Sequence, residues 1–263
     1  MNDVSLTFDS EGYTHVLRTA LARGYWTGPL CEARAAPGPA LVLRHDVDFS
    51  LERAVAMAEL EAALGVRSTY LVMTTSPFYN PFAPRSREIL KRFIELGHEV
   101  GLHWDSSSYP ADSERAVAQF RTERDLMGAA AGAPVRTASQ HIPTHTPLFD
   151  VSAHVELEAY SRALVDRYRY VSDSSMLWRE TTPLELIQSG IDVYFLSHPI
   201  WWMSPGKSQN EKLQFASEEL QECIAGEMEG QKDYLKVLIA GRAKADPAFL
   251  KRMGWSPQGG GAQ

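Results

Sequence analysis

Apolar residues in this chain form short continuous runs, separated by longer stretches in which they recur every three or four positions. Ala40-Leu-Val-Leu43 is a run of the kind shown by a strand buried on both faces. After it, Leu51, Ala54, Val55, Ala58, Leu60, Ala62 and Leu64 lie broadly on one side of a helix, with Ser50 placed to cap its start and Gly65 to close it. Ser68 to Met73 is rich in β-branched and aromatic residues and reads as a second strand. A loop with Pro77, Asn80, Pro81 and Pro84 leads to a helix over Ser86 to Leu96, with Ile89, Leu90, Phe93 and Ile94 inward and Gly97 at its end. His98 to His103 is a third strand, Asp112 to about Ala130 a third helix, and Val135 to Ser139 a fourth strand. Arg169 to Ser172 and Ile191 to Leu196 are two more. Alternation of strands and helices at this spacing predicts an α/β fold around a parallel sheet.

Residues 1–38 read as a helical lead-in, with Tyr13, Val16, Leu17, Ala20 and Leu21 at helical spacing and Gly24 as the stop. The main domain is expected over 39–205, charged helices packed outside it over 206–258, and a disordered tail at 259–263. With 263 residues, 44% of them hydrophobic, the chain can bury a substantial core. A net charge of -7 with no compensating basic run argues against a nucleic-acid partner. The first twenty residues lack a secretory apolar core, and no run approaches the ~20 apolar residues of a membrane span, so a cytoplasmic location without a transmembrane segment is the expectation. Cys31 and Cys223 match no metal or redox spacing.

Parallel α/β folds bind ligands at the C-terminal ends of their strands. Asp46, Asp48, His103, His141, Asp173 and His198 all fall at such ends. Two carboxylates separated by one residue, with a histidine ending another strand, make a divalent metal site. Asp48 has an alternative as cap of the helix that follows, with Asp46 merely exposed. Strand alternation places Arg44 on the face of Asp46, where it can keep that carboxylate ionised, and His45 on the opposite face. Trp104, Tyr109, Trp201 and Trp202 flank these residues and suit either a sugar ring or interior packing. His15, His98 and His154 are expected to pack or to contact helix ends.

Leu43-Arg-His-Asp-Val-Asp48 and Gly97-His-Glu-Val-Gly-Leu-His103 resemble two motifs of the polysaccharide deacetylase family, metal-dependent carbohydrate esterases built on an irregular (β/α) barrel. The resemblance spans roughly residues 39–202. It implies that Asp46 is the general base and Asp48 a metal ligand, with Val47 inserted between carboxylates that are usually adjacent. His103 matches the first histidine ligand. The second would fall at 107, which is Ser107 here, so His141 is the expected substitute and His145 the fallback. His198, in Tyr194-Phe-Leu-Ser-His-Pro199, resembles the family's last motif, whose histidine protonates the leaving group. Asp173 would orient a histidine or bind a sugar hydroxyl, and Arg44, Trp104 and Trp201 would complete the substrate side. The implied cofactor is a divalent metal, zinc before others. The implied reaction removes an acetyl or formyl group from an N-acylated amino sugar; with no secretory signal read, the expected substrate is a cytosolic small-molecule (nucleotide-linked) or lipid-linked precursor of surface polysaccharide. Two other readings share these residues: a catalytically silent carbohydrate-binding or regulatory member, suggested by Ser107, and an amide hydrolase with a non-sugar substrate.

Overall fold

Strand β2 runs beyond its apolar residues: it covers Ala40–Val47, and all eight positions are buried. In the computed structural model, which describes residues 6–142, 149–242 and 246–254, the chain divides into two units, Met1–Ala216 and Ser217–Gln263. The first unit is built around one sheet. Its other strands are β1 (Trp26–Gly28), β3 (Thr69–Val72), β4 (Glu99–Trp104), β5 (Thr137–Gln140), β6 (Leu157–Glu158), β7 (Arg169–Ser172) and β8 (Val193–Ser197). Every pairing is parallel, in the order β6-β5-β4-β3-β2-β8-β7, with β1 beside the first half of β2. Among the described residues β6 and β7 do not pair, so the sheet is an incomplete (β/α) barrel with its break between them.

The sheet is strongly curved. Arg44 of β2 hydrogen-bonds Ser139 of β5, although two strands intervene. In a flat sheet the ~4.8 Å strand spacing would set them about 14 Å apart, beyond the reach of the contact. Arg44 also reaches Tyr194 on β8, so the face that carries it is concave.

Alternation along β2 sorts its side chains. Leu41, Leu43 and Val47 pack outward against α1 (Ser10–Ala22), α2 (Leu51–Ala63) and α3 (Pro84–Glu95). Ala40 and Val42 face inward with Leu30, Leu71, Leu157 and Tyr194, plugging the N-terminal end of the concave face. Arg44 and Asp46 continue that inward row at its C-terminal end. A third cluster joins Leu102 and Trp104 of β4 to Ala116 and Phe120 of α4 (Ser113–Ala131). Ser50 caps its helix as expected, accepting from the Arg53 N–H, and Asp112 caps α4 by accepting from the Arg115 N–H. Three shorter helices complete the unit: α5 (Arg162–Val165), α6 (Pro183–Gln188) and α7 (Pro199–Met203).

The lead-in is more than helical. After α1 it contributes β1 and a 3-10 turn, Leu30–Ala35, and β1 is held by the Trp26 N–H donating to the Pro39 carbonyl at 2.9 Å. Helix α8 (Gln209–Arg242) begins in the first unit and continues into the second, which also holds α9 (Pro247–Arg252). From Gln221 to Gly241 its side chains are exposed. No described helix is long and apolar enough to cross a membrane. His145 and the tail 259–263 lie outside the described residues.

Candidate active site

Arg44 grips Asp46 with two hydrogen bonds, Nε to Oδ1 at 2.8 Å and NH2 to Oδ2 at 2.7 Å. The same guanidinium donates to the hydroxyls of Tyr194 (3.1 Å), Tyr160 (3.0 Å) and Ser139. Burial pushes the Asp46 carboxyl up, but Arg44, with His103 and His198, outweighs it and holds the group well below the usual carboxylate range. Asp46 is therefore a fixed anion.

Asp48 lies just past the end of β2. The loop after β3 sets its backbone: Ser76 Oγ donates to the Asp48 carbonyl at 3.1 Å and the Tyr79 hydroxyl to the Val47 carbonyl at 2.5 Å. His103 points inward from β4 with Nδ1 3.1 Å from the Ser139 carbonyl, and Nε2 lies 3.3 Å from Asp48 Oδ1 and 3.5 Å from Asp46 Oδ2. A carbonyl can only accept, so Nδ1 carries the proton and Nε2 of the neutral ring turns a lone pair toward two carboxylates. That arrangement is repulsive until a proton or a cation enters it. Burial pulls the His103 imidazole down, but Asp46 and Asp48 outweigh burial and raise it.

His141 follows β5, its N–H donating to the Trp104 carbonyl at 2.8 Å, and its ring stands edge-on to His103 at 5.3 Å between centroids. One ligand atom each from Asp48, His103 and His141 lie within 4.8 Å of one another. Asp48 Oδ1 and His141 Nδ1 are buried without a hydrogen-bond partner. Buried polar atoms are nearly always satisfied. An unpartnered carboxylate oxygen in a set of two imidazoles and a carboxylate fits a divalent cation.

His198, just after β8, is held from behind. Its Nδ1 is 2.6 Å from Asp173 Oδ1, while Asp173 Oδ2 accepts from the His198 N–H at 2.9 Å and from Trp202 Nε1 at 2.7 Å. Nε2 is 3.8 Å from Asp48 Oδ2. Burial lowers the His198 imidazole, but Asp173 together with Asp48 and Asp46 outweighs it and lifts the group to about 9. Three non-glycine residues with positive φ follow these groups: Ile142 (50°) after His141, and Ser175 (58°) and Met176 (52°) after Asp173. Strain of this kind concentrates where side chains must be held in place.

The structure thus brings together Asp46, Asp48, His103, His141 and His198. It corrects the expected substrate side. Arg44 pairs with Asp46 and Asp173 orients His198, as the alternatives for each had it, but both are fully buried and engaged there, so neither is free for a sugar. Trp104, 1% exposed, faces away from His103 and packs against Tyr109, Phe120 and Phe149. Trp201 is buried too, its ring 6.2 Å from that of Phe49, next to Asp48. Ser107 lies in a 3-10 turn, Ser106–Ser108. Sequence reasoning missed Ser139, Tyr160 and Tyr194 around Arg44. Only Tyr194 left a signal, two positions before Leu196 on the inward-facing register of β8.

No protein-family model matches the chain, and no curated protein does. Solved structures similar to it include a CE4 family pseudoenzyme from Bacillus anthracis (15% identity, TM-score 0.42, covering 69% of this chain and 60% of that one). IcaB from Ammonifex degensii matches at 17% identity and a TM-score of 0.42, over 53% of this chain and 69% of its own. The peptidoglycan deacetylase PdaC from Bacillus subtilis matches at 14% and 0.41, over 75% and 94%. The chain spans less than two thirds of the Bacillus anthracis structure.

Proposed function

We propose that this protein is a metal-dependent hydrolase that removes an N-acyl group, acetyl or formyl, from an amino sugar, a cytosolic nucleotide-linked or lipid-linked precursor of surface polysaccharide. The observation that supports it is the cluster of Asp48, His103 and His141, in which Asp48 Oδ1 is buried and unpartnered beside the inward lone pair of His103. Asp48, His103 and His141 would hold the ion, zinc before others, and a divalent ion there supplies Lewis acidity to an acyl carbonyl and eases deprotonation of water.

The remaining steps belong to the chain's own groups. Asp46, immobilised by Arg44, orients the attacking water and receives its proton. The water oxygen bonds to the acyl carbon, the C–N bond breaks, and the nitrogen leaves with a proton from His198. The buried Asp173 carboxylate behind His198 favours its protonated form, as a general acid requires. Asp173 fixes its Nδ1, so Nε2 is the nitrogen that delivers the proton.

The test is the metal content of purified protein, with release of acetate or formate from nucleotide-linked and lipid-linked N-acyl amino sugars. A bound divalent ion that is lost in His103→Ala and in His141→Ala, together with acid release, supports the reading. Protein that holds no metal and releases no acid across a series of added divalent ions overturns it. One observation favours a second reading, a silent carbohydrate-binding protein. Arg44 stabilises the ionised form of Asp46 and so weakens it as a base. Under that reading the same assay gives sugar binding without acid release.

A further inference from the structure

The histidines of the site are held by Nδ1. His103 uses the Ser139 carbonyl and His198 uses Asp173. His141 breaks the pattern: its Nδ1 is buried with no hydrogen bond, and the charged group facing it is Asp105, with Oδ2 at 3.7 Å. The turn after β4 explains why Asp105 is there. Its Oδ1 accepts from the Ser107 N–H at 2.9 Å, its carbonyl accepts from Ser108 Oγ at 2.8 Å, and Gln140 Nε2 donates to Ser106 Oγ at 3.0 Å, tying the turn to the end of β5. Ser107, where an imidazole would be expected, instead uses its backbone N–H to aim the Asp105 carboxylate. Both side chains are about a quarter exposed, so a small movement closes 3.7 Å to a hydrogen bond. Such bonds are often long in empty sites and tighten when the site fills.

We propose that Asp105 is the positioning residue for His141: it accepts the Nδ1 proton and so leaves Nε2 as the nitrogen offered to a cation. The β4–α4 turn then contributes a carboxylate behind a relocated ligand, in place of the second imidazole. Histidine ligands commonly have such partners, and losing one costs 10–100-fold in metal affinity. The proposal rests on the metal site of the previous subsection.

The experiment titrates apo-protein with Zn2+ and with Co2+ alone, using a competing chelator for affinity and the Co2+ visible spectrum for coordination. Asp105→Ala should weaken binding by about 10–100-fold and alter the Co2+ spectrum. Asp105→Asn keeps one acceptor oxygen in place of two, so it can serve the Nδ1 proton or the Ser107 N–H but not both, and it should fall between wild type and Asp105→Ala. It also carries the test if the alanine variant does not fold. In a His141→Ala background Asp105→Asn should change nothing further. Wild-type affinity in both Asp105 variants overturns the proposal, as does an equal loss with His141 already removed. If His141→Ala itself binds metal like wild type, or wild type binds none, the metal-site reading fails first and takes this inference with it.

Discussion

Strand β2 separates two histidine–carboxylate clusters of similar composition and opposite character. On the outward face Glu61 is fully buried and accepts four hydrogen bonds: Tyr13 Oη (2.5 Å) and His45 Nε2 (2.9 Å) on Oε1, Ser68 Oγ (2.6 Å) and Tyr70 Oη (2.7 Å) on Oε2. His45 Nδ1 meets Ser197 Oγ at 2.7 Å. His98 bonds the Ala58 carbonyl through Nε2 (3.0 Å) and accepts the Ser68 N–H at Nδ1 (3.2 Å). Every valence there is filled. On the inward face, equally polar and nearly as buried, Asp48 Oδ1 and His141 Nδ1 are left open. Burial, charge and histidine content do not distinguish the two clusters. The unpartnered Asp48 Oδ1 does, and it supports the inward cluster as the candidate site.

That contrast can be broken by exchanging the consequences of mutation. The largest effect expected is on catalysis: His198→Ala should slow acyl release by about 10²–10⁴-fold, read as kcat/KM, with thermal unfolding nearly unchanged. Next comes its mirror image. Glu61→Gln unbalances a closed buried network and should cost about 3–5 kcal/mol of folding stability, read by urea unfolding, while the folded protein keeps its metal affinity. Loss of metal in Glu61→Gln, or of stability in His198→Ala, would erase the distinction between the faces.

A smaller effect follows from titration. Burial pushes the Glu61 carboxyl up, but His45 and the other donors outweigh it and hold the group at about 2. A depressed carboxylate stabilises the fold above its ordinary value and loses that contribution as pH falls toward its folded one. Wild-type stability should therefore drop by about 3 kcal/mol more than that of Glu61→Gln between pH 5 and pH 2. The smallest change is a displaced pH profile. A proton donor is lost as pH rises through its pKa, so the alkaline limb of kcat/KM should follow His198, whose value is lifted to about 9. In Asp173→Asn that limb should move to lower pH.

Much of this was legible in the chain, because alternation and short-range pairing are local. The opposed faces of Arg44 and His45 follow from β2 being a strand, and the Arg44–Asp46 contact is a same-face neighbour pair. Glu61 was also within reach: Ala54, Met57, Ala58 and Glu61 form one helical stripe, and all four are buried. Of the two alternatives for Trp104, parity selects interior packing, because it turns adjacent strand residues to opposite faces and His103 points inward. Strands β1 and β6, three and two residues long, are too short for any periodicity to show. Nothing local links Asp105 to His141 or Arg44 to Tyr160, because those contacts exist only once separate strands lie side by side.

The Arg44 hydrogen bonds reach residues 95, 116 and 150 positions further along the chain. Contacts of such separation close late, since the loop entropy must be overcome before they form. During refolding, secondary structure should therefore recover ahead of acyl release. Any chain that ends before β8 keeps Asp48, His103 and His141 but lacks both Tyr194 and His198, so recovery of acyl release, rather than of metal affinity, would report the last stage of folding.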